Sequence, residues 1–257
     1  MKSPFNLTSF AMTGFVIACS CNLAMAQHKH SDIEFGYNDV NNPTAFIIEG
    51  DEITSDGIRF FESEMEELDP LDPGNYFSDE PGFDTNPDEG LFVNHGDQIW
   101  LNAVDASANS PFGVGYVNFY NPMTDALEAY GRIGIIDNSN STDDLILSGL
   151  DIESGPNPQF LGLGDSNGEL HDHIIADLLD DNSTLVGAYG LMFELQSDFD
   201  GDGNSDLTSE KFWIIWNYGL SEEQFENQAL AKFGVVPEPG SAVVITLASL
   251  ALLRRRR

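Results

Sequence analysis

The run Phe212-Trp213-Ile214-Ile215-Trp216 has no polar side chain for either face of an extended strand. Successive strand residues point to opposite faces, so apolar residues at every position demand cover on both sides. Lys211–Tyr218 is therefore expected to be a central, fully covered strand. Gly187–Gln196 reads differently. Tyr189, Leu191, Phe193 and Leu195 share one face, while Glu194 and Gln196 lie opposite, the period of two of a half-buried strand.

Further short β-rich runs alternate with Gly, Asn, Asp and Pro punctuation. They predict strands over Thr44–Ile48, Ile58–Glu62, Gln98–Val104, Gly113–Tyr120, Arg132–Ile136, Asp144–Leu147 and His173–Leu179. Eighteen phenylalanines, seven tyrosines and three tryptophans supply a core that disordered acidic chains lack. Trp100, Trp213 and Trp216 fall on strands and read as core, although an indole can also stack on a sugar. One helix is expected. Ser221 can cap it with Gln224 three residues on, ahead of Phe225, Ala229, Leu230 and Phe233, and it should pack on the sheets. The acidic, proline-punctuated segment Glu62–Glu89 reads as a long surface excursion. The expected fold class is all-β: an antiparallel, jelly-roll-like β-sandwich with one short C-terminal helix, a single domain over residues 27–235.

Both ends stand apart from that domain. Lys2 precedes an apolar run from Phe10 to Ala18, and Ala24-Met25-Ala26 forms a small-residue exit before Gln27. This is the order of a secretory signal peptide over residues 1–26. Val16-Ile17-Ala18-Cys19 offers a rival, a lipobox with Cys19 acylated. At the other end Val236-Pro237-Glu238-Pro239-Gly240 leads into a mostly apolar stretch and then Arg254, Arg255, Arg256 and Arg257. The prolines and glycine forbid helix or ladder continuity, and the apolar stretch is well short of the ~20 residues a stable membrane helix needs. The arginines would stay cytoplasmic.

Residues 236–257 resemble a PEP-CTERM sorting signal, whose Pro-Glu-Pro motif, apolar helix and arginine cluster stand here in order. The resemblance implies recognition near Pro237-Glu238-Pro239 by an exosortase, a membrane-embedded transpeptidase-like enzyme. It also implies a Gram-negative-type, exopolysaccharide-making host. The expected route is export, transient residence in the inner membrane, then the cell surface or the extracellular matrix.

Removing both ends leaves five cations, Lys29, Arg59, Arg132, Lys211 and Lys232, against 42 acids, a formal charge of −37. Such a body disfavours nucleic acid and anionic membrane surfaces, and it invites divalent cations or basic partners. Both cysteines, Cys19 and Cys21, lie in the signal, so no disulfide or thiol chemistry is expected of the body.

Two constellations could hold metal. Asp198, Asp200, Asp202, Asn204 and Asp206, with Gly203 in the run, can fold around one hard cation, calcium. The run resembles the calcium loops of dockerins, thrombospondin type 3 repeats and integrin-propeller blades. It departs from an EF-hand because position twelve is Ser209 and Glu210 falls one place late. A solvated Asx/Gly hairpin loop is the alternative. The second constellation draws on the histidines His28, His30, His95, His171 and His173. Residues two apart on a strand share a face, so His171 and His173 could chelate zinc or copper, completed by His95 or a nearby carboxylate.

A third grouping, Glu62, Glu64, Glu66, Glu67, Asp69 and Asp72, reads as a solvated acidic loop, because glycosidase acids need placement across a cleft. The expectation is thus a non-catalytic, calcium-stabilised surface protein with a structural or binding role, with exopolysaccharide or matrix components as potential partners. The alternatives are a zinc- or copper-handling surface protein and a carbohydrate-active enzyme.

Overall fold

A computed structural model of the chain describes residues 32–39, 43–50, 52–67, 76–137, 144–179, 185–198 and 205–236. The signal segment and the sorting motif from Pro237 onward lie outside these residues. The first strands are β1 (Ile33–Tyr37), β2 (Phe46–Ile48), β3 (Arg59–Glu64), β4 (Glu66–Glu67), β5 (Tyr76–Ser78) and β6 (Phe83–Asp84). The middle of the chain forms β7 (Gln98–Val104), β8 (Asn118–Asn121), β9 (Ala126–Ala129), β10 (Arg132–Asp137), β11 (Leu145–Ser148) and β12 (Ile152–Ser154). Then come β13 (Gln159–Leu163), β14 (His171–Asp172), β15 (Ile174–Leu178), β16 (Gly187–Asp198), β17 (Leu207–Thr208) and β18 (Phe212–Tyr218).

Three sheets result. The largest runs β13-β7-β16-β18-β3, with β17, β8 and β9 attached on the β16 side. The second runs β12-β11-β10-β15-β5-β4, and a small third sheet runs β14-β6-β1-β2. The chain is a β-sandwich, as its strand runs predict, with two exceptions to antiparallel pairing. β3 lies parallel to β18, and β1 lies parallel to β6.

The run Phe212–Trp216 holds the centre. On one face of its sheet Leu191, Phe193, Phe212, Ile214 and Trp216 share a continuous core with Ile133, Ile135 and Leu147 of the second sheet and Ile33, Phe35 and Phe83 of the third. On the other face Met192, Trp213 and Ile215 pack with Phe225, Ala229, Leu230 and Phe233. Both Trp213 and Trp216 are wholly buried on opposite faces, as their odd spacing requires. Loss of either indole would cost about 3–5 kcal/mol.

The second cover is the C-terminal helix, built from Glu222–Gln224, a π turn over Phe225–Ala229, and Leu230–Lys232. Ser221 Oγ accepts from Gln224 N, and Gln224 returns to the Ser221 backbone, the reciprocal cap the sequence predicts. A Cβ on Gly190 would stand 2.3 Å from Phe233 Cε1, so the glycine lets that ring lie on the sheet.

Several boundaries differ from expectation. The Glu62–Glu89 segment is not an excursion: β5 pairs with β15, and Phe83 is wholly buried in the shared core. Gly113–Val117 is irregular, because Gly113 lies against the Ala106 backbone and Gly115 against the Gly149 carbonyl, leaving a strand only at Asn118–Asn121. Trp100 is half-buried rather than core, edge-on to Phe160 at 5.0 Å. Two of the outer strands are acidic: β4 is two glutamates, and β3 ends in Glu62-Ser63-Glu64.

Candidate metal sites

The acidic loop begins inside the sheet. Asp198 is the last residue of β16, paired with Gln98 and only 3% exposed. Asp206 N donates to the Ser197 carbonyl at 2.7 Å, and β17 pairs back on β16, so the loop closes a hairpin. Asp200, Asp202 and Asn204 lie outside the described residues. Ser209 Oγ accepts from Leu195 N, and Glu210 pairs with Arg59 at 3.3 Å. Both are thereby engaged in the sheet, in keeping with the loop's departure from an EF-hand.

Close to Asp206 lies an acid that the motif did not reveal. Asp97 is 5% exposed and accepts a 2.9 Å hydrogen bond from the Tyr37 hydroxyl. Burial raises its pKa, Tyr37 and Asn94 pull it down by donating to it, and the charge of Asp206 adds to the rise. Burial and Asp97 likewise push the Tyr37 phenol far up. Acidic groups are thus buried where the loop leaves β16, at Asp198 and at Asp97 beside it, whereas Asp206 on the return side is exposed.

The histidine pair is assembled by strand pairing. β14 pairs with β6, placing His171 opposite Asp84, and β6 lies beside β1, placing Asp32 at the same edge. His173 follows in the step from β14 to β15. The two Nε2 atoms are 3.2 Å apart, with ring centroids at 5.0 Å and planes at 73°. His173 Nδ1 donates to the Asp79 carbonyl at 2.7 Å. His171 Nδ1 lies 3.5 Å from Asp84 Oδ1 and 3.6 Å from Asp32 Oδ2. Ligand atoms of Asp32, His171 and His173 all fall within 4.8 Å of one another. Burial pulls the His173 imidazole toward its neutral form. The Asp79 carbonyl and the charges of Asp32, Glu80 and Asp79 outweigh it, so its pKa lies above the ordinary value.

His95 is placed elsewhere, exposed in the turn beside Asp165. The third donor is therefore the carboxylate of Asp32, which sequence spacing could not single out because it depends on the parallel pairing of β1 with β6. His28 and His30 lie outside the described residues.

Glu64 and Glu66 line a cavity of about 110 Å³ with Ser63, Phe77, Ser78, Asp79 and Glu80, against the ~300 Å³ or more of ordinary small-molecule sites. Asp69 and Asp72 lie outside the described residues. A second carboxylate group, Glu34, Glu49 and Glu89, converges within 4.8 Å. Comparison with family models, curated proteins and solved structures finds no match to the chain.

Proposed function

We propose that this chain is an exported surface protein, sorted through its C-terminal tag by an exosortase, whose β-sandwich body is non-catalytic and calcium-stabilised. The supporting observation is the buried negative charge at the base of the Asp198–Asp206 loop. Asp198 and Asp97 are almost wholly enclosed, with the Asp206 charge acting on Asp97. Like charges close together repel, and a divalent ion held by Asp198, Asp200, Asp202, Asn204 and Asp206 would relieve that repulsion. Bound there, calcium fastens the β16–β17 hairpin, and β16 is the strand against which β7, β8 and β18 all pair. The ion would brace the central sheet at its most connected member.

The melting temperature of the purified chain, with calcium and then with chelator, tests this reading. Calcium should raise it, and Asp200→Ala combined with Asp202→Ala should abolish the rise. An identical melt with and without calcium would remove the calcium reading. The sorting half is tested separately by replacing Pro237, Glu238 and Pro239 with alanine, which should leave the chain at the inner membrane. Arrival of that variant at the surface would overturn it.

A further inference from the structure

Both imidazoles at the β14 edge turn Nδ1 toward oxygen and Nε2 toward each other. The 2.7 Å hydrogen bond from His173 Nδ1 to the Asp79 carbonyl puts the proton of the neutral ring on Nδ1, leaving a lone pair on Nε2. The carboxylates of Asp84 and Asp32, 3.5 and 3.6 Å from His171 Nδ1, favour the same tautomer there. The two Nε2 atoms stand 3.2 Å apart, close enough to share one proton. A metal ion that displaces that proton takes a lone pair from each ring. We propose that Asp32, His171 and His173 bind one zinc ion, the histidines through Nε2 and Asp32 through its carboxylate, with a fourth position open to solvent.

The spacing suits zinc: donors about 2.0–2.1 Å from a tetrahedral ion stand roughly 3.3–3.4 Å apart, close to the observed separation. Hard calcium and magnesium prefer all-oxygen shells and gain little from two imidazoles.

The surroundings hold this arrangement before any ion arrives. The Asp79 carbonyl belongs to a loop whose next carbonyl, that of Glu80, accepts from the buried Trp216 Nε1 at 3.0 Å and from Ser78 Oγ at 3.0 Å. The strand at the centre of the core therefore fixes the acceptor that orients His173, the outer-shell role that tunes a ligand histidine. Gly82 forms the floor. A Cβ there would stand 2.6 Å from His173 Cε1 and 2.7 Å from Asp32 Oδ1, so any side chain would prise the ligands apart. The local charge is negative, from Asp32, Asp79, Glu80 and Asp84. The four described lysines and arginines pair with acids elsewhere, at Glu210, Glu153, Glu194 and Asp125. The His171 side chain is 56% exposed, so the ion exchanges with solution rather than being sealed in.

These residues are distinct from the calcium loop, so either reading can fail alone. The full chain is titrated with zinc chloride against a chromogenic chelator, with circular dichroism confirming the fold of each variant. One equivalent should bind. His171→Ala with His173→Ala should weaken it by about 100-fold or more, and Asp32→Asn by about 10-fold. The exposed single change His171→Ala serves as the second variant if the double one does not fold. His28→Ala with His30→Ala, and His95→Ala, should leave that equivalent intact. Cobalt substituted for zinc should give the strong visible absorption of a tetrahedral ion. Unchanged affinity in the His171 variants, loss of the equivalent with His28 and His30, or a weakly absorbing six-coordinate cobalt would each overturn the proposal.

Discussion

The two metal regions are built in opposite ways. The acidic loop would take its donors from nine consecutive residues, with Asp97 a long-range neighbour of Asp206. The histidine site takes Asp32 from the residue before β1, the Asp79 carbonyl and Gly82 from the loop before β6, and His171 and His173 from about 140 residues further along the chain. A contiguous loop can gather its ligands with little help from the fold. The histidine site exists only while three strands are in register, so it reports on tertiary structure as the loop does not.

Four substitutions sharpen or break that contrast, the largest effect first. Gly82→Ala should lower zinc affinity by about 100-fold, because its methyl group enters the space shared by His173 and Asp32, while the calcium response stays unchanged. Zinc titration of the variant checks this. Asp202→Ala should do the reverse. Saturation to about 100 times the dissociation constant is worth about 2.7 kcal/mol, or about 5–10 °C in melting temperature for a domain of this size, and the variant should lose that rise yet bind zinc normally.

Trp216→Phe should fall between them. It retains an aromatic ring in the core but removes the donor to the Glu80 carbonyl, so zinc affinity should drop by about 10-fold and stability by about 1–3 kcal/mol. An unchanged zinc isotherm would show that the loop is held without the indole.

The smallest effect concerns neither metal. Glu62 is pushed up to about 8, first by burial and then by the charges of Glu52, Glu226 and Glu64. A carboxyl raised in the folded state favours folding below its unfolded pKa, and that contribution is lost as pH climbs through the folded value. Stability should therefore fall between roughly pH 4.5 and pH 8. Glu62→Gln should raise the melting temperature by several degrees at pH 8 and by far less at pH 5. Thermal melts across that range check the sign.

The sequence carried the centre of the fold well, because its signals are local. Phe212–Trp216 has no polar face at any register, and the Ser221/Gln224 cap is complete within four residues. It carried the periphery poorly. Ile33, Phe35 and Tyr37 do alternate with Glu34 and Gly36, yet the strand they form was missed beside the N-terminal segment. Its parallel pairing with β6 involves partners about fifty residues apart, and no local pattern specifies that. The candidate site divides in the same way. The His-x-His spacing announced two ligands on one face, while the third donor, the orienting carbonyl and the glycine floor belong to pairings that only the folded chain assembles.

The two acidic outer strands have a consequence for how such molecules meet one another. A neighbouring chain can extend a sheet only by docking its backbone along an outer strand. At the outer end of the second sheet the docking length is two residues, both glutamates, and on the central sheet it is a strand closing in Glu62-Ser63-Glu64. A second copy brings the same charges to the same place. At these two edges the acids oppose strand-to-strand joining of copies, and drawing copies together there takes multivalent counter-ions bridging between molecules.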